Sequence, residues 1–396
     1  MYDKTMTLKA AIYDPYLDTL GGGERYCLTV AETLLNKGYS VDLFWSGDKD
    51  IIAKAEARFN LNISKINIVP DIFQSSVDNI NTTADSESLT KITSHQKQKP
   101  NLIQILNNFA TKFKVTRQYN VMFFISDWSL PFLFSKNNLL HVQVPFASQK
   151  KSKTIILNNL KMVFINKIIC NSQFTSKFAN QQFGNKCQVI YPPVDTAKFS
   201  PNQAKENIIL SVGRFDNILN SKKQDVLIEC FKKLYQRNKT VDWKLVLAGG
   251  SLTSLEDNTY IRHLKTISED LPIEFYVNAS FDTIKSLYEK SKIYWHAAGY
   301  GVNQEINPEN TEHFGMAPVE AMASGSVPVV INKGGLNEII QNEVSGFLWN
   351  TEEELIAKTQ LLISSPQLIG EIQQNAILRS HSFSKESFIN NLEKIL

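Results

Sequence analysis

Two glutamates separated by seven residues, Glu312 and Glu320, are of a type and spacing that could do chemistry. Pro318 has a fixed φ and no N–H, which suits the first position of a helix, so we predict a helix from Pro318 to Ser324. This helix carries Glu320 in its first turn, while Glu312 lies in the preceding loop. Backbone N–H groups at a helix N-terminus favour an anion. Two carboxylates beside an anion site suit a ligand with hydroxyls at both ends and phosphate between them, as in a sugar nucleotide.

The residues around this pair favour a chemical role over a structural one. A lone glutamate in a first helical turn is often only a dipole or capping partner. Here the pair lies in a longer string, Glu312-His-Phe-Gly-Met-Ala-Pro-Val-Glu320-Ala-Met-Ala-Ser-Gly325, then Pro328-Val-Val and Gly334-Gly-Leu-Asn-Glu338. The string resembles the signature of retaining GT-B glycosyltransferases of family four, also described as glycosyl transferases group 1. Its Glu-His-Phe-Gly form, with Trp295-His296 before it, is similar to the mannosyltransferase branches.

The resemblance implies an α/β fold of the GT-B type, in which two doubly wound Rossmann-like domains face each other across a cleft. It also implies retaining transfer of a hexosyl unit from a nucleoside diphosphate sugar to a hydroxyl of a glycan or lipid-linked acceptor. No metal ion or other cofactor is expected, and GDP-mannose is the favoured donor. In such a transfer the acceptor attacks the face that the leaving phosphate vacates, and that phosphate takes the proton.

Length and composition agree with a globular protein of two domains. The chain has 396 residues, more than one hydrophobic core usually serves, and 43% of them are hydrophobic. The net charge of +3 is too mild to indicate a nucleic-acid partner. Because the sequence has no run of about 18 apolar residues, we expect a cytoplasmic protein that is neither exported nor integral to a membrane. The cysteines lack Cys-x-x-Cys spacing and are expected to be reduced thiols that bind no metal: Cys27, Cys170, Cys187 and Cys230.

Short apolar runs alternate with helical periodicity along the chain, as in doubly wound sheets. The stretch Pro192-Pro-Val-Asp195 is similar to the family's exit from the first domain, and the next predicted strand is Ile208–Val212. We therefore predict four parts: an N-terminal, acceptor-side domain over residues 1–195, a turn-rich linker over 196–207, a nucleotide-sugar-binding domain over 208–383, and a last helix over 384–396 that returns to the N-terminal domain.

A glycine triplet follows the first predicted strand, which spans residues 8–13. It precedes a helix predicted for Tyr26–Asn36, so it is either a plain turn or a loop that lets phosphate or sugar approach the backbone closely. By resemblance, Gly22 and Gly23 belong to a Gly-Gly-x-Glu-Arg loop that faces the donor.

Two further segments bear on the acceptor. Residues 71–100 are polar and are predicted to be a mobile excursion and a candidate wall of the acceptor site. Lys150-Lys-Ser-Lys153 precedes an apolar helix predicted for residues 154–165. Two interpretations of this helix stay open. It is either a core helix with a solvated basic start, or a segment that makes peripheral contact with an anionic inner membrane surface carrying a lipid-linked acceptor.

A diphosphate leaving group needs fixed positive charge, because negative charge develops on it as the glycosidic bond breaks. Arg214 and the pair Lys222-Lys223 follow the first strand of the second predicted domain. By resemblance, Arg214 and Lys222 hold the donor phosphates. Because two lysines are adjacent, Lys223 is an alternative contact, and surface lysines without a ligand are the structural alternative.

The histidines depart from the family pattern. Many members have His-x-Pro in the N-terminal domain, whereas this chain has His141-Val-Gln143-Val-Pro145. Side chains alternate along a strand, so His141 and Gln143 share a face and either could point toward the donor sugar. A hydrogen-bonded histidine at a strand end is the alternative. His296, which lies before the signature string, is a candidate for lining the donor or acceptor sugar site.

The resemblance places Glu320 on the ribose hydroxyls and Glu312 by the reacting face of the donor sugar. Two other functions stay open, namely an epimerase or hydrolase of the same fold and a non-catalytic binder of sugar nucleotides. A dehydrogenase is disfavoured because the glycine triplet lacks the dinucleotide-binding spacing. The implied catalytic residues are Glu312, Arg214, Lys222 and His141, and the implied donor-binding residues are Gly22, Gly23, Gly213, Lys223, His313, Phe314, Gly315, Met316, Ala317 and Glu320.

Overall fold

The computed structural model describes residues 8–73, 102–147, 155–184, 187–201, 204–216, 221–237, 242–251 and 258–396. All structural statements below concern these residues. Two predicted features lie outside them, namely most of the candidate acceptor wall, at 74–100, and the basic run at 150–153.

The first half of the chain forms a sheet from short apolar runs that are separated by helices. All residues of the strand Val121–Ser126 are buried, as expected for a strand covered on both faces. The strands are β1 Lys9–Tyr13, β2 Ser40–Phe44, β3 Asn67–Val69, β4 Val121–Ser126, β5 Asn137–Val142, β6 Lys167–Cys170 and β7 Cys187–Val189. They lie in the order β3-β2-β1-β4-β5-β6-β7. In the centre, Ile12 of β1 is in parallel register with Leu43 of β2 and Phe123 of β4.

Helices connect these strands. They are α1 Gly22–Asn36, α2 Ile51–Phe59, α3 Leu102–Thr116, α4 Ile155–Val163 and α5 Gln173–Phe183. The prediction that the first helix begins at Tyr26 was wrong, because α1 already begins at Gly22. The carboxylate of Glu24 accepts a hydrogen bond from the Gly21 N–H at 2.6 Å, which satisfies a donor at the helix start. Gly22 and Gly23 are therefore the first residues of a helix, not a turn.

The second half repeats this architecture with a second parallel sheet. Its strands are β8 Glu206–Val212, β9 Lys244–Gly249, β10 Ile273–Val277, β11 Ser291–His296, β12 Val327–Ile331 and β13 Phe347–Trp349. They lie in the order β10-β9-β8-β11-β12-β13. The order reverses at β8 and β11, because β8 leads outward to β9 and β10 on one side while β11 leads to β12 and β13 on the other. Doubly wound sheets bind ligands at such a reversal, outside the carboxyl ends of the strands.

The helices of the second half present apolar stripes to this sheet. They are α6 Gln224–Arg237, α7 Thr259–Ile267, α8 Phe281–Lys290, α9 Met316–Ala323, α10 Leu336–Ile339, α11 Glu352–Ser364, α12 Pro366–Ser380 and α13 Lys385–Glu393. In α6, for example, Leu227, Ile228, Phe231 and Leu234 are buried at helical spacing. The largest fully buried side chains of the core include Trp295 and Trp349.

The chain divides into two compact units. One contains the described residues of 1–140 and 153–166, and the other contains those of 141–152 and 167–396. The last helix belongs to the second unit, where the carbonyl of Ile395 accepts a hydrogen bond from Lys167 of β6 at 3.3 Å. The predicted domain limits and the predicted cleft remain predictions.

Candidate active site

Three side chains of the second unit meet at one carboxylate oxygen. The Oε2 atom of Glu312 lies 2.6 Å from Nζ of Lys222 and 3.0 Å from Nε2 of His296. His296 is the last residue of β11, Lys222 lies in the connection from β8 to α6, and Glu312 lies just before α9. The three residues therefore lie at the carboxyl edge of the second sheet. Among the described residues, none donates a hydrogen bond to the other oxygen of Glu312, Oε1, which leaves that atom available to a ligand.

The backbone of Glu312 is fixed by the two glycines that follow β12. The N–H of Gly335 donates to the carbonyl of Glu312 at 2.8 Å. A Cβ atom on Gly334 would lie 2.1 Å from that same carbonyl oxygen, so the position admits no side chain. The Gly-Gly pair in the signature string therefore holds the loop that carries Glu312.

The helix after Glu312 begins earlier than predicted. It starts at Met316 instead of Pro318, because Gly315 takes a φ of +117° that lets the chain turn into the helix. Pro318 is the third helical residue, where a missing N–H costs no intrahelical hydrogen bond. The prediction that Glu320 lies in the first turn was consequently wrong, since Glu320 is the fifth residue of α9.

The helix start nevertheless offers donors to an anion, as predicted. Among the described residues, none accepts a hydrogen bond from the backbone N–H of Phe314, Gly315, Met316 or Ala317. Free N–H groups at a helix start attract negative charge.

One turn further along α9, the carboxylate of Glu320 lies close to Tyr288. Burial, together with this carboxylate, raises the pKa of Tyr288 well above its ordinary value.

Electrostatics keep Glu312 charged. Burial alone would raise its pKa, but the ammonium of Lys222 and the ring N–H of His296 outweigh burial and hold the pKa of Glu312 below its ordinary value. Burial lowers the pKa of His296, although Glu312 opposes that shift. At neutral pH the site is thus a carboxylate beside an ammonium and a neutral imidazole. Burial likewise lowers the pKa of His313, whose Nε2 lies 3.1 Å from the carbonyl oxygen of Glu309.

Lys222 is held in place by Gly213. A Cβ atom on Gly213 would lie 2.5 Å from Cγ of Lys222. The lysine side chain therefore packs directly against the Gly213 backbone, in the space that a side chain at position 213 would occupy. Lys223 has a left-handed backbone, with φ of +55°, and its side chain is half-buried. Among the described residues, Arg214 forms no ion pair with Glu312. Its side chain is 60% exposed, and its Nε is 3.4 Å from a carboxylate oxygen of Asp216.

The other predicted site residues are placed elsewhere. His141 is completely buried at the end of β5, and its Nδ1 lies 3.1 Å from the carbonyl oxygen of Ile169. Burial lowers its pKa to about 3. This environment matches the alternative of a hydrogen-bonded strand-end histidine. The half-buried Gln143 accepts a hydrogen bond from the Asn171 side chain through its backbone carbonyl. Gly22 and Gly23 begin α1 in the first compact unit.

Sequence reasoning missed how His296 is used. His296 was only a candidate for lining the donor or acceptor sugar site, whereas in the structure it is 2% exposed and contacts the Glu312 carboxylate. Its other ring nitrogen, Nδ1, lies 3.4 Å from the hydroxyl of Tyr294, which lies 3.3 Å from the carbonyl oxygen of Val212. The available signal was the i, i+2 spacing of Tyr294 and His296, which puts both on one face of β11.

No cluster of three or more His, Cys, Asp or Glu side chains suited to a metal ion occurs in the described ranges. Across those same ranges, no helix is both long enough and apolar enough to cross a bilayer. All four cysteines are free thiols.

Family models match both halves of the chain. Residues 194–379 match the model described as Glycosyl transferases group 1, and residues 20–198 match the model described as Glycosyltransferase Family 4. The chain belongs to this glycosyltransferase family. The membership confirms the resemblance that the signature string indicated.

Several curated relatives of this family 4 chain are named mannosyltransferases. The GDP-Man:Man(3)GlcNAc(2)-PP-Dol alpha-1,2-mannosyltransferase of Dictyostelium discoideum is 28% identical over 54% of this chain and 43% of that protein. The Xenopus laevis enzyme of the same name is 31% identical over 52% of this chain and 43% of its own length. The chain thus spans less than half the length of these two relatives. With the Xenopus tropicalis enzyme, identity is 27% over 96% of this chain and 85% of that protein.

Solved structures share the fold of the family 4 chain. A glycosyltransferase from Rickettsia africae superposes with a TM-score of 0.72 at 19% identity, covering 98% of each chain. HepE of Anabaena, solved in complex with UDP, superposes with a TM-score of 0.69 at 19% identity, covering 98% of this chain and 99% of that one. The predicted α/β class and GT-B fold, with two Rossmann-like domains, are confirmed.

Proposed function

We propose that the chain is a retaining, metal-independent glycosyltransferase that moves a hexosyl unit from a nucleoside diphosphate sugar to an acceptor hydroxyl. The proposal rests on the different contacts that the two carboxylate oxygens of Glu312 make. One oxygen accepts from Lys222 and His296, and no described residue donates to the other, which lies at the carboxyl edge of the sheet. A carboxylate oxygen in that state accepts a hydrogen bond from a sugar hydroxyl without losing its own charge.

The diphosphate of the donor would lie against fixed positive charge and free N–H groups. Lys222 keeps donors beyond the one that it gives to Glu312, because an ammonium has three. The N–H groups of residues 314–317 supply a second set, and the exposed Arg214 can turn from Asp216 toward the phosphates. These groups would stabilise the charge that develops on the leaving group, which is the role a metal ion plays in other transferases. Glu320 would bind the ribose hydroxyls.

The chemical step is a displacement with retention. The acceptor oxygen attacks the anomeric carbon from the face on which the diphosphate departs. The bond between the anomeric carbon and the phosphate oxygen breaks, and the acceptor proton passes to the departing phosphate. Glu312 takes no part in this proton transfer, because its depressed pKa makes it a poor base at neutral pH.

GDP-mannose is the donor that we favour. The support is that the relatives from Dictyostelium discoideum and Xenopus carry GDP-Man in their names. HepE of Anabaena was solved with UDP-glucose, so a uridine nucleotide is the competing donor. The named relatives act on a dolichol-linked glycan, which makes a lipid-linked glycan the acceptor class that we propose for this chain.

A panel of donors tests the proposal. GDP-mannose, UDP-glucose, UDP-N-acetylglucosamine and UDP-galactose would be titrated by calorimetry in the presence of EDTA, and the slow release of free diphosphate would be followed. We expect one donor to bind and to release its diphosphate without metal. If that donor then reacts with an acceptor to invert the anomeric centre, the retaining mechanism is refuted. If none binds, the transferase proposal is refuted.

We also propose that the first unit contacts an anionic membrane surface. The helices α3 and α4 carry exposed apolar side chains, and an aromatic cluster of Phe132, Phe134 and Phe164 lies beside them. Two lysines, Lys112 and Lys161, are crowded there. Burial, followed for Lys112 by the charge of Lys161, lowers the pKa of each. We call this surface the α3/α4 face, and its exposed apolar residues are Ile103, Leu106, Phe109, Phe113, Leu157, Leu160 and Val163.

The α3/α4 face fits an interface with anionic lipid. Apolar side chains enter the boundary between headgroups and acyl chains, and anionic headgroups relieve the repulsion between neighbouring lysines. This assignment favours the membrane interpretation of the predicted 154–165 helix. The expectation of a cytoplasmic protein stays a prediction.

Vesicle sedimentation tests the α3/α4 face. We expect the chain to sediment with vesicles of phosphatidylglycerol and to stay in solution with phosphatidylcholine. The double variant Leu160→Asp, Val163→Asp should lose this binding, whereas Leu378→Asp, at a similarly exposed leucine of the second unit, should retain it. Equal binding of the two variants would contradict the assignment.

A further inference from the structure

His296 has no direct access to a ligand, yet it contacts the central carboxylate of the site. Its side chain is 2% exposed, and Nε2 lies 3.0 Å from Oε2 of Glu312. Because Glu312 is ionised and can only accept, the hydrogen bond requires the proton of the neutral ring to be on Nε2. The chemistry of the carboxylate thus sets the tautomer of the imidazole.

The opposite edge of the ring is compatible with this tautomer. With the proton on Nε2, Nδ1 can only accept, so a hydrogen bond there uses the proton of the Tyr294 hydroxyl, 3.4 Å away. Tyr294 is buried and its hydroxyl also lies 3.3 Å from the Val212 carbonyl on the neighbouring strand, so its one proton is donated either to Nδ1 or to that carbonyl. A chain of contacts therefore runs from the backbone of β8 through Tyr294 and His296 to Glu312.

We propose that His296, supported by Tyr294, is the positioning residue that holds Glu312 Oε2 so that Oε1 faces the donor sugar. The inference deepens the proposed transferase function and rests on it. Lys222 alone would be a poor clamp for this purpose, because a flexible ammonium fixes a distance but not the plane of the carboxylate. Two donors that converge on Oε2 from different elements define the orientation, and the Lys222 ammonium is then able to contact phosphate as well.

The pH at which Glu312 becomes protonated depends on the titratable groups that face it. They are Lys222 from the connection before α6, Tyr294 and His296 from β11, and His313 beside it in the chain. Lys222 and the Nε2–H of His296 both favour the carboxylate form. Removing the His296 donor therefore raises the pKa of Glu312, and the acidic limb of the rate profile should move to higher pH.

Variants at position 296 separate positioning from folding. We expect His296→Leu, which keeps the bulk and loses the donor, to lower kcat by up to about a hundredfold with little change in the donor KM. Its acidic limb should shift upward in pH. His296→Gln keeps an N–H donor near the position of Nε2. It should restore most of kcat and return the acidic limb of the rate profile toward its wild-type pH. His263→Leu, on the exposed face of α7, is the matched control and should behave as wild type. If His296→Leu matches wild type in kcat and in its acidic limb, the inference is overturned.

A second measurement needs neither a donor nor a folded variant. Long-range ¹H–¹⁵N correlation on the wild-type chain labelled at histidine reports the tautomer, and His296 should be neutral with its proton on Nε2 throughout the neutral range. A proton on Nδ1 alone, or a doubly protonated ring, would overturn the inference whatever the activity. A wild-type chain that binds and turns over no sugar nucleotide would instead overturn the proposed function, while the tautomer would still decide the placement of Glu312.

Discussion

Glu312 is the residue on which the proposed chemistry depends, and its neighbours determine its charge. Burial acts against its charge, and the site retains that charge because Lys222 and His296 both donate to Oε2. The sequence string predicted Glu312, whereas Lys222 was predicted only as a contact of the donor phosphates, with Lys223 as the alternative, and its ion pair with Glu312 was not foreseen. The role of His296 could not be predicted in the same way, because it depends on the distance between the ends of β11 and the α9 loop.

Gly213 provides a test of the Lys222 placement at the residue scale. A methyl group at Gly213 would collide with Cγ of Lys222, so Gly213→Ala should displace the ammonium from Glu312. We expect donor affinity and turnover to fall by about tenfold or more, since a charge-assisted contact is lost. Gly370→Ala is the control, because a Cβ there meets nothing within 4 Å. Kinetics and thermal melting of both variants would be compared, and equal activity would contradict the placement.

At the scale of elements, alternating apolar runs and helices were enough to predict both sheets, but helix starts were not. The predictions for α1 and α9 both began too late, and in each case the error followed from glycine. Gly22 and Gly23 were assigned to a turn but are helical. The left-handed backbone of Gly315 lets α9 begin at Met316, two residues before Pro318. The short elements α10 and β13 were not predicted, because three or four residues are too few to show a period.

The Glu338 carboxylate gives a prediction at this scale. It accepts hydrogen bonds from the N–H groups of Gln173 and Phe174 at 2.7 Å each, which caps α5 within the second unit. Glu338→Gln replaces one of the two accepting oxygens with an NH2 group that cannot accept from a backbone N–H, and should lower the free energy of unfolding by about 1–2 kcal/mol. Glu371→Gln, on the exposed side of α12, should leave it unchanged. Urea unfolding of the two variants checks this, and equal losses would show that the cap adds no stability.

At the scale of the whole molecule, the chain comprises two compact units. Family membership and fold could be predicted because the signature string is long and specific. The signature string does not predict the domain limits, the acceptor or the membrane contact, because these depend on surfaces that carry no fixed motif. The α3/α4 face is an example, because its apolar residues follow ordinary helical periodicity and only their exposure distinguishes them from core.

We propose that Glu312 acts on the donor sugar of a glycosyltransferase site. The most direct test is the rate of diphosphate release from the donor identified in the panel, with EDTA present, for wild type, Glu312→Gln and Glu309→Gln. Glu309 carries the same charge near the site without contacting Lys222 or His296 in the described structure. We predict that Glu309→Gln keeps the wild-type rate, while Glu312→Gln binds the donor and releases diphosphate about a hundredfold more slowly. A Glu312→Gln variant as fast as wild type would show that Glu312 does not act on the donor sugar.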